Sequence, residues 1–136
     1  MPEFDVNYWA VLVATLAHFV LGAAWYGLLA KQWLAATGQT KEQVQEREKE
    51  TRWVYLAQFV ATLLLLTVAA YWIVNVAKAD NVKDALCAGL LLALIGILAC
   101  SGDFLYEGRS GKLFAINSGY RLVGMLVAAA IIGAWQ

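Results

Sequence analysis

The sequence predicts an all-α fold, a bundle of four transmembrane helices with up-down topology and a polar cytoplasmic helical linker between spans one and two. The chain of 136 residues is 62% hydrophobic and 15% charged, and a soluble domain of this size has too little interior for so much apolar surface. The apolar residues form four runs, each long enough to cross a bilayer. Pro2 is the only proline, so no run contains a strong helix breaker. We expect one integral membrane domain over 1–136, with spans at about 8–29, 53–76, 84–106 and 113–135.

The first span has aromatic residues at both ends, Tyr8 and Trp9 at one and Trp25 and Tyr26 at the other. Such pairs are typical of the interfacial belts of membrane helices. A stripe of mostly small residues recurs every four positions: Ala10, Ala14, His18, Gly22 and Tyr26. Small faces let helices approach closely, so this face is expected to pack against protein.

The long polar segment at 30–52 is predicted to be largely helical. Gly38 is the expected helix stop. Thr40 and Gln43 have the spacing of a capping box, followed by the charged run 41–52. This run is either a solvated extension or a docking surface for a protein partner.

The third span also carries a stripe of small residues, which ends in two acidic ones: Ala85, Gly89, Ala93, Gly96, Cys100, Asp103 and Glu107. Two small faces on four short spans suggest more packing surface than one bundle uses. We therefore expect a homo-oligomer, either a dimer or a trimer.

Orientation follows from the basic residues of the short connections. The linker and the last turn hold most of them: Lys31, Lys41, Arg47, Lys49, Arg52, Arg109 and Lys112. The opposite side has only Lys78 and Lys83. The expected location is the plasma (inner) membrane, with both polar connections in the cytoplasm and both termini outside.

His18 is the only histidine and lies near the middle of the first span. It is either a buried imidazole bonded to a neighbouring helix, or a proton relay or ligand repeated around an oligomer axis. A metal site within one chain is not expected, because no second histidine or suitably spaced cysteine accompanies it.

Asp103 and Arg121 are ionisable residues within the third and fourth spans. Such groups are costly in a membrane and usually pair or line a wet cavity. By helical rise, Arg121 is about 13 Å past Lys112 and Asp103 about 6 Å before Glu107. We predict that Asp103 meets Arg121, while Glu107 pairs nearer the surface with Arg109 or Lys112.

The alternative is a polar site for a small anion, a cation or a lipid headgroup. Asn117 lies one turn from Arg121 and could complete either arrangement. Arg109 and Lys112, in the last turn, are candidate headgroup contacts. The candidate site therefore consists of His18, Asp103, Glu107, Asn117 and Arg121, with Arg109 and Lys112 at the interface.

The sequence carries no pattern typical of a phosphate-binding loop, of an enzyme active site or of a nucleic-acid-binding protein. The turn at 108–112 has no GxxxxGK[ST] spacing, since Leu113 follows Lys112. No nucleophile and base lie at matched depth, so we expect neither an enzyme nor a cofactor. The net charge of zero gives no overall field for nucleic acid. The lipid bilayer is the expected partner.

Two stretches, NYWAVLVATLAHFVLGAAWYG and YEGRSGKLFAINSGYRLVGMLVAAAIIG, resemble the family called domain of unknown function 1761, small integral membrane proteins. The resemblance covers nearly the whole chain and implies four spans but no activity. The residues that carry it are Gly22, Trp25, Tyr26, Glu107, Gly108, Arg109, Asn117, Gly119 and Tyr120. Gly27 and Leu28 stand where family members often have Ser-Pro.

Two function classes remain open. In the first, a transporter or channel-like protein contacts a solute, ion or lipid headgroup through the polar residues of its spans. In the second, an accessory or structural subunit uses the same residues to lock helices and docks a partner through 41–52. Costly buried charge favours the first class.

Overall fold

All regular elements in the part of the chain that the structure describes, residues 5–135 of a computed structural model, are helices. In chain order they are α1 (Tyr8–Leu28), α2 (Ala30–Thr37), α3 (Lys41–Glu50), α4 (Trp53–Tyr71) with a π-helical turn (Trp72–Val76), α5 (Val82–Ala99), α6 (Ser101–Tyr106) and α7 (Gly111–Ala134). Four segments are long and apolar enough to cross a membrane: Tyr8–Leu28, Trp53–Val76, Val82–Tyr106 and Gly111–Ala134. The all-α class with four such helices is confirmed.

Helix α7 is the centre of the packing. It lies against α5 along much of its length and against α1 on another side, while α4 packs mainly on α1. The π-helical turn after α4 also contacts α5. The last helix therefore shares contacts with the other spans, and the site described below is built on it.

The core between these helices consists largely of small residues. Its fully or nearly buried alanines come from all four spans: Ala10, Ala14, Ala69, Ala70, Ala85, Ala88, Ala93, Ala128 and Ala129. A Cβ built on Gly89 would lie 2.5 Å from the Cβ of Ala129, so α5 and α7 are in close backbone approach there. Close approach of small faces is the usual way in which membrane helices gain van der Waals contact.

Both small stripes of the sequence pack inside the chain over part of their length. Ala10, Ala14 and His18 are buried in α1, as are Ala85, Gly89 and Ala93 in α5. The predicted packing of the first stripe against protein is thus confirmed. The later part of the third-span stripe is not used in this way, since a Cβ on Gly96 would meet no atom within 4 Å and Asp103 is exposed, and the homo-oligomer stays a prediction.

The segment between the first two spans forms two short helices. Gly38 ends α2 with φ 69°, a left-handed conformation in which a Cβ is strained. Thr40 then caps α3, accepting from the Gln43 backbone amide, while the Gln43 side chain accepts from the Thr40 amide. The predicted helix stop and capping box are confirmed, and α3 has no buried residue.

The first span ends without a proline. α1 stops at Leu28 and α2 begins at Ala30, with Leu29 as the junction. The Leu29 amide still donates to the carbonyl of Trp25 at 3.0 Å, and its own carbonyl accepts from the Trp33 amide at 2.8 Å. The interruption is therefore local, and hydrogen bonding crosses it.

The third span is also interrupted. α5 ends at Ala99 and α6 begins at Ser101, which places Asp103 on a separate short helix. Gly108 then turns the chain toward α7 with φ 65°, a conformation available to glycine at little cost. These two features set where Asp103 lies relative to the last span.

At the opposite end of the bundle, Asn7 joins the first and last helices. Asn7 caps α1, its Oδ1 accepting from the amides of Trp9 and Ala10. Its Nδ2 donates to the carbonyl of Trp135 at 2.9 Å. The start of α1 and the end of α7 are therefore neighbours.

Candidate functional site

Aromatic side chains from the end of α1 lock onto α7. The indole Nε1 of Trp25 donates to the carbonyl of Ile116 at 3.0 Å, and the hydroxyl of Tyr26 donates to Oδ1 of Asn117 at 2.8 Å. The interpretation of these two aromatic residues as an interfacial belt is thus incomplete, because both are half-buried and hold two spans together. Each apolar ring is accompanied by a satisfied polar tip, as buried Trp and Tyr usually require.

Glycines make room for this contact of Trp25 and Tyr26 with α7, which we call the lock. A Cβ on Gly119 would lie 2.7 Å from Cζ2 of Trp25, and one on Gly22 would lie 3.0 Å from the hydroxyl of Tyr120. The Tyr120 hydroxyl donates to the carbonyl of His18 at 3.3 Å. Glycine on one helix thus faces a large aromatic residue on the other, on both sides of the α1–α7 contact.

His18 lies deeper in the same contact. It is 8% exposed, and its ring centroid is 4.9 Å from that of Tyr120. A Cβ on Gly124 would lie 2.5 Å from its Cε1, so the imidazole sits directly on the α7 backbone. The histidine fills a fitted space between two spans, but its buried Nδ1 has no hydrogen-bond partner among the described residues, so the bond to a neighbouring helix stays a prediction.

The lock accounts for most of the residues on which the family resemblance rests, and a family model matches residues 9–133, described as a protein of unknown function (DUF1761). The chain belongs to the DUF1761 family. No curated protein and no solved structure matches it. The family description carries no activity, so function has to be argued from the geometry.

The polar residues of this DUF1761 protein meet in a notch between its third and fourth spans. The notch measures about 40 Å³ and is lined by residues from α6, α7 and their flanks: Cys100, Asp103, Phe104, Arg109, Leu113, Phe114, Asn117 and Arg121. A cavity needs roughly 10–15 Å³ to hold one water. The notch therefore has room for a few waters or for the charged end of a larger molecule.

Asp103 and Arg121 share this notch without pairing. Among residues 5–135 the only ion pair within 4.0 Å joins Glu107 and Arg109. The predicted Asp103–Arg121 ion pair is therefore wrong in its geometry, although both side chains line one space. The predicted depths of the two side chains assume one continuous helix to residue 106, whereas α5 ends at Ala99 and Asp103 lies on α6.

The surface pair is as expected. Nε of Arg109 lies 2.7 Å from Oε2 of Glu107, with more than half of each side chain exposed. Glu107 does not line the notch, although Arg109 does. Lys112 is exposed in the first turn of α7, outside the notch. Its contact with a lipid headgroup remains a prediction.

Two candidate residues, His18 and Glu107, lie outside the notch. His18 is joined to it through packed rings, since the centroids of Tyr120 and Tyr26 are 5.3 Å apart and Tyr26 donates to Asn117. The structure thus brings Asp103, Asn117, Arg121 and Arg109 together in the notch, leaves Glu107 outside it as the partner of Arg109, and separates His18 from it.

The apolar walls of the notch could not be recognised from the sequence. Phe104 and Phe114 stack with centroids 5.0 Å apart and an interplanar angle of 27°. They come from opposite sides of the Gly108 turn, at spacings that resemble ordinary apolar residues of two spans. Only the reversal of the chain at that turn reveals that they face each other.

The notch offers complementary chemistry on its two sides. Arg121 is a permanent cation with several N–H donors. Asn117 uses its Oδ1 to accept from Tyr26, so its Nδ2 is the end left to donate. Asp103 presents acceptors. The arrangement suits binding of a small charged group.

Proposed function

We propose that this DUF1761 protein binds a small polar ligand, either a solute, an ion or a lipid headgroup, in the notch between its third and fourth spans, in a transporter- or channel-like role. One observation carries the proposal. Asp103 and Arg121 line the same notch, yet no ion pair joins them. Unpaired charges in a membrane segment are expensive, and they are kept where they meet water or a ligand.

The position of the notch supports this role. Arg121 lies ten residues past Gly111, about 15 Å along the helix, and Asp103 is on the short helix that precedes the turn. A charged ligand entering from the side of that turn would reach both residues. In the orientation set by the basic residues this side is cytoplasmic, the spans run up and down, and the protein lies in the plasma membrane with both termini outside.

A reconstituted system tests the proposal. Purified protein in liposomes should carry at least one member of a panel of ions and small zwitterions above the level of protein-free liposomes. Asp103→Asn and Arg121→Gln should each reduce this flux. Asp80→Asn and Lys83→Gln are matched controls, because both residues are exposed at the other end of the third span. Flux that survives both notch variants, or no flux together with no binding, would refute the role.

A second candidate is an accessory subunit that docks a partner through the linker at 41–52. Helix α3 buries none of its residues, and isolated helices of this length are marginal in water. A cleft of about 270 Å³ lies between α3 and the start of α4, lined by Gln45, Glu48, Lys49, Arg52 and Tyr55. If the protein is such a subunit, deletion of 41–50 should abolish co-purification of the partner. No flux that depends on the notch residues should then be measured, with or without the deletion.

A further inference from the structure

We infer that the ligand of the notch is a zwitterion, a molecule that carries an ammonium group close to a phosphate or carboxylate. The inference rests on the proposed function and narrows its ligand class. It follows from the charges that line the notch once the existing contacts are assigned.

The charge balance of the notch is the first step. Three charged side chains line it, those of Asp103, Arg109 and Arg121. Arg109 is held by Glu107 at 2.7 Å, so its charge is compensated. One carboxylate and one guanidinium remain. A site with one free charge of each sign repels neither end of a zwitterion, whereas a simple anion would meet Asp103 and a simple cation would meet Arg121.

The two free charges are not joined by an ion pair. The structure contains no Asp103–Arg121 contact within 4.0 Å, and both side chains are exposed. Each group therefore keeps its donors or acceptors available. A ligand with two opposite charges can pair with both at once, and each contact is a charge-assisted hydrogen bond, the stronger class.

Neighbouring groups assign an end of the ligand to each side. The free Nδ2 of Asn117 is a second donor one turn before Arg121, so the anionic end belongs there. Tyr26 fixes that orientation by donating to the Asn117 oxygen at 2.8 Å. The stacked rings of Phe104 and Phe114 line the notch together with Asp103. Aromatic rings also attract ammonium groups, so the cationic end belongs on that side.

The size of the notch limits what it can enclose. At about 40 Å³ it has room for the two charged groups of a small zwitterion, and any larger remainder of the molecule must lie outside. Two sources fit this chemistry, the headgroup of a phosphatidylethanolamine lipid and a free zwitterion such as phosphoethanolamine or glycine. The exposed apolar residue Leu105 on the adjoining helix is compatible with an acyl chain beside the notch.

Binding measurements test the inference. Protein in detergent is mixed with equal amounts of phosphatidylethanolamine and phosphatidylglycerol, and the retained lipids are counted by native mass spectrometry. Phosphoethanolamine and glycine are titrated separately into lipid-free protein by calorimetry. We expect preferential retention of phosphatidylethanolamine, or saturable binding of a free zwitterion that phosphatidylglycerol does not displace. The first result identifies the lipid as the source and the second the soluble molecule.

Variants locate the binding. Asp103→Asn should lower the affinity for the zwitterion by about tenfold or more, as loss of one charge-assisted hydrogen bond does, and should abolish the preference over phosphatidylglycerol. Arg121→Gln should weaken both ligands. Asp80→Asn and Lys83→Gln should change neither. Circular dichroism of every variant shows whether the helices are retained.

Two contrary outcomes are distinguishable. Equal or better binding of phosphatidylglycerol, weakened by Arg121→Gln and unaffected by Asp103→Asn, overturns the zwitterion and leaves a notch that binds anions. Binding of no probe, or binding that is the same in both notch variants, overturns the proposed site as well.

Discussion

Gly119→Ala tests the lock between the first and last spans. The added methyl group would lie 2.7 Å from Cζ2 of Trp25 and 3.3 Å from its Cη2, both shorter than ordinary carbon contacts of about 3.5–4.0 Å. The indole cannot retreat freely, because its Nε1 donates to the Ile116 carbonyl at 3.0 Å. Either the helices separate or this hydrogen bond breaks.

Three effects set the change that Gly119→Ala makes in the free energy of unfolding. Overpacking of a tight site costs about 1–3 kcal/mol. Loss of the indole hydrogen bond would add about 0.5–1.5 kcal/mol. Alanine in place of glycine within a helix favours folding by about 0.5–1 kcal/mol. The last two effects nearly cancel, so the free energy of unfolding should fall by about 1–3 kcal/mol.

Reversible unfolding in mixed detergents, followed by circular dichroism, measures this change. Gly96→Ala is the matched control, because a Cβ at Gly96 meets no atom within 4 Å, and it should be neutral or slightly stabilising. In a Trp25→Ala background the cost of Gly119→Ala should disappear. Equal stability of Gly119→Ala and Gly96→Ala, or a cost of Gly119→Ala that persists without the indole, would refute a steric clash with Trp25.

Four further outcomes follow from the same contacts. Tyr26→Phe should lower the free energy of unfolding by about 0.5–1.5 kcal/mol, measured in the same detergent assay, because Asn117 loses the hydroxyl at 2.8 Å. Glu107→Gln should change it by less than about 1 kcal/mol, since the pair with Arg109 is exposed. A double-mutant cycle of Asp103→Asn with Arg121→Gln should be additive within about 1 kcal/mol in ligand-free protein, since no ion pair joins the two residues; a larger coupling would show that they pair. A reporter active only outside the cytoplasm should give signal when fused after residue 136 and none when inserted at Gln45, and the reverse would contradict the orientation.

The four long helices could be predicted because span length and apolar content are properties of the sequence alone. The capping box at Thr40 and the stop at Gly38 were equally accessible, since both depend on neighbours within a few positions. The stripe that includes Ala10 and Ala14 could be placed inward from its helical spacing. Its partner helix could not, because nothing in the spacing says which span it meets.

The candidate site was predictable in composition but not in geometry. Helical rise gives the depth of Asp103 and Arg121, whereas their contact also depends on helix rotation and on the interruption at Cys100. The role of Trp25 and Tyr26 was predicted only in part, for a different reason. Aromatic residues at a helix end give the same sequence signal whether they face headgroups or, as here, a neighbouring helix.

Asn117 belongs to both the lock and the notch, and this joins the two structurally. Its carbonyl oxygen is committed to Tyr26, so the face that it turns to the notch is set by the packing of α1 on α7. A ligand that takes a hydrogen bond from its amide therefore binds best when the lock is formed. By linkage, such a ligand must also stabilise the contact between the first and last spans. In the proposed function, Trp25, Tyr26 and Tyr120 thus act without touching the ligand, as the support that orients the Asn117 donor beside Arg121.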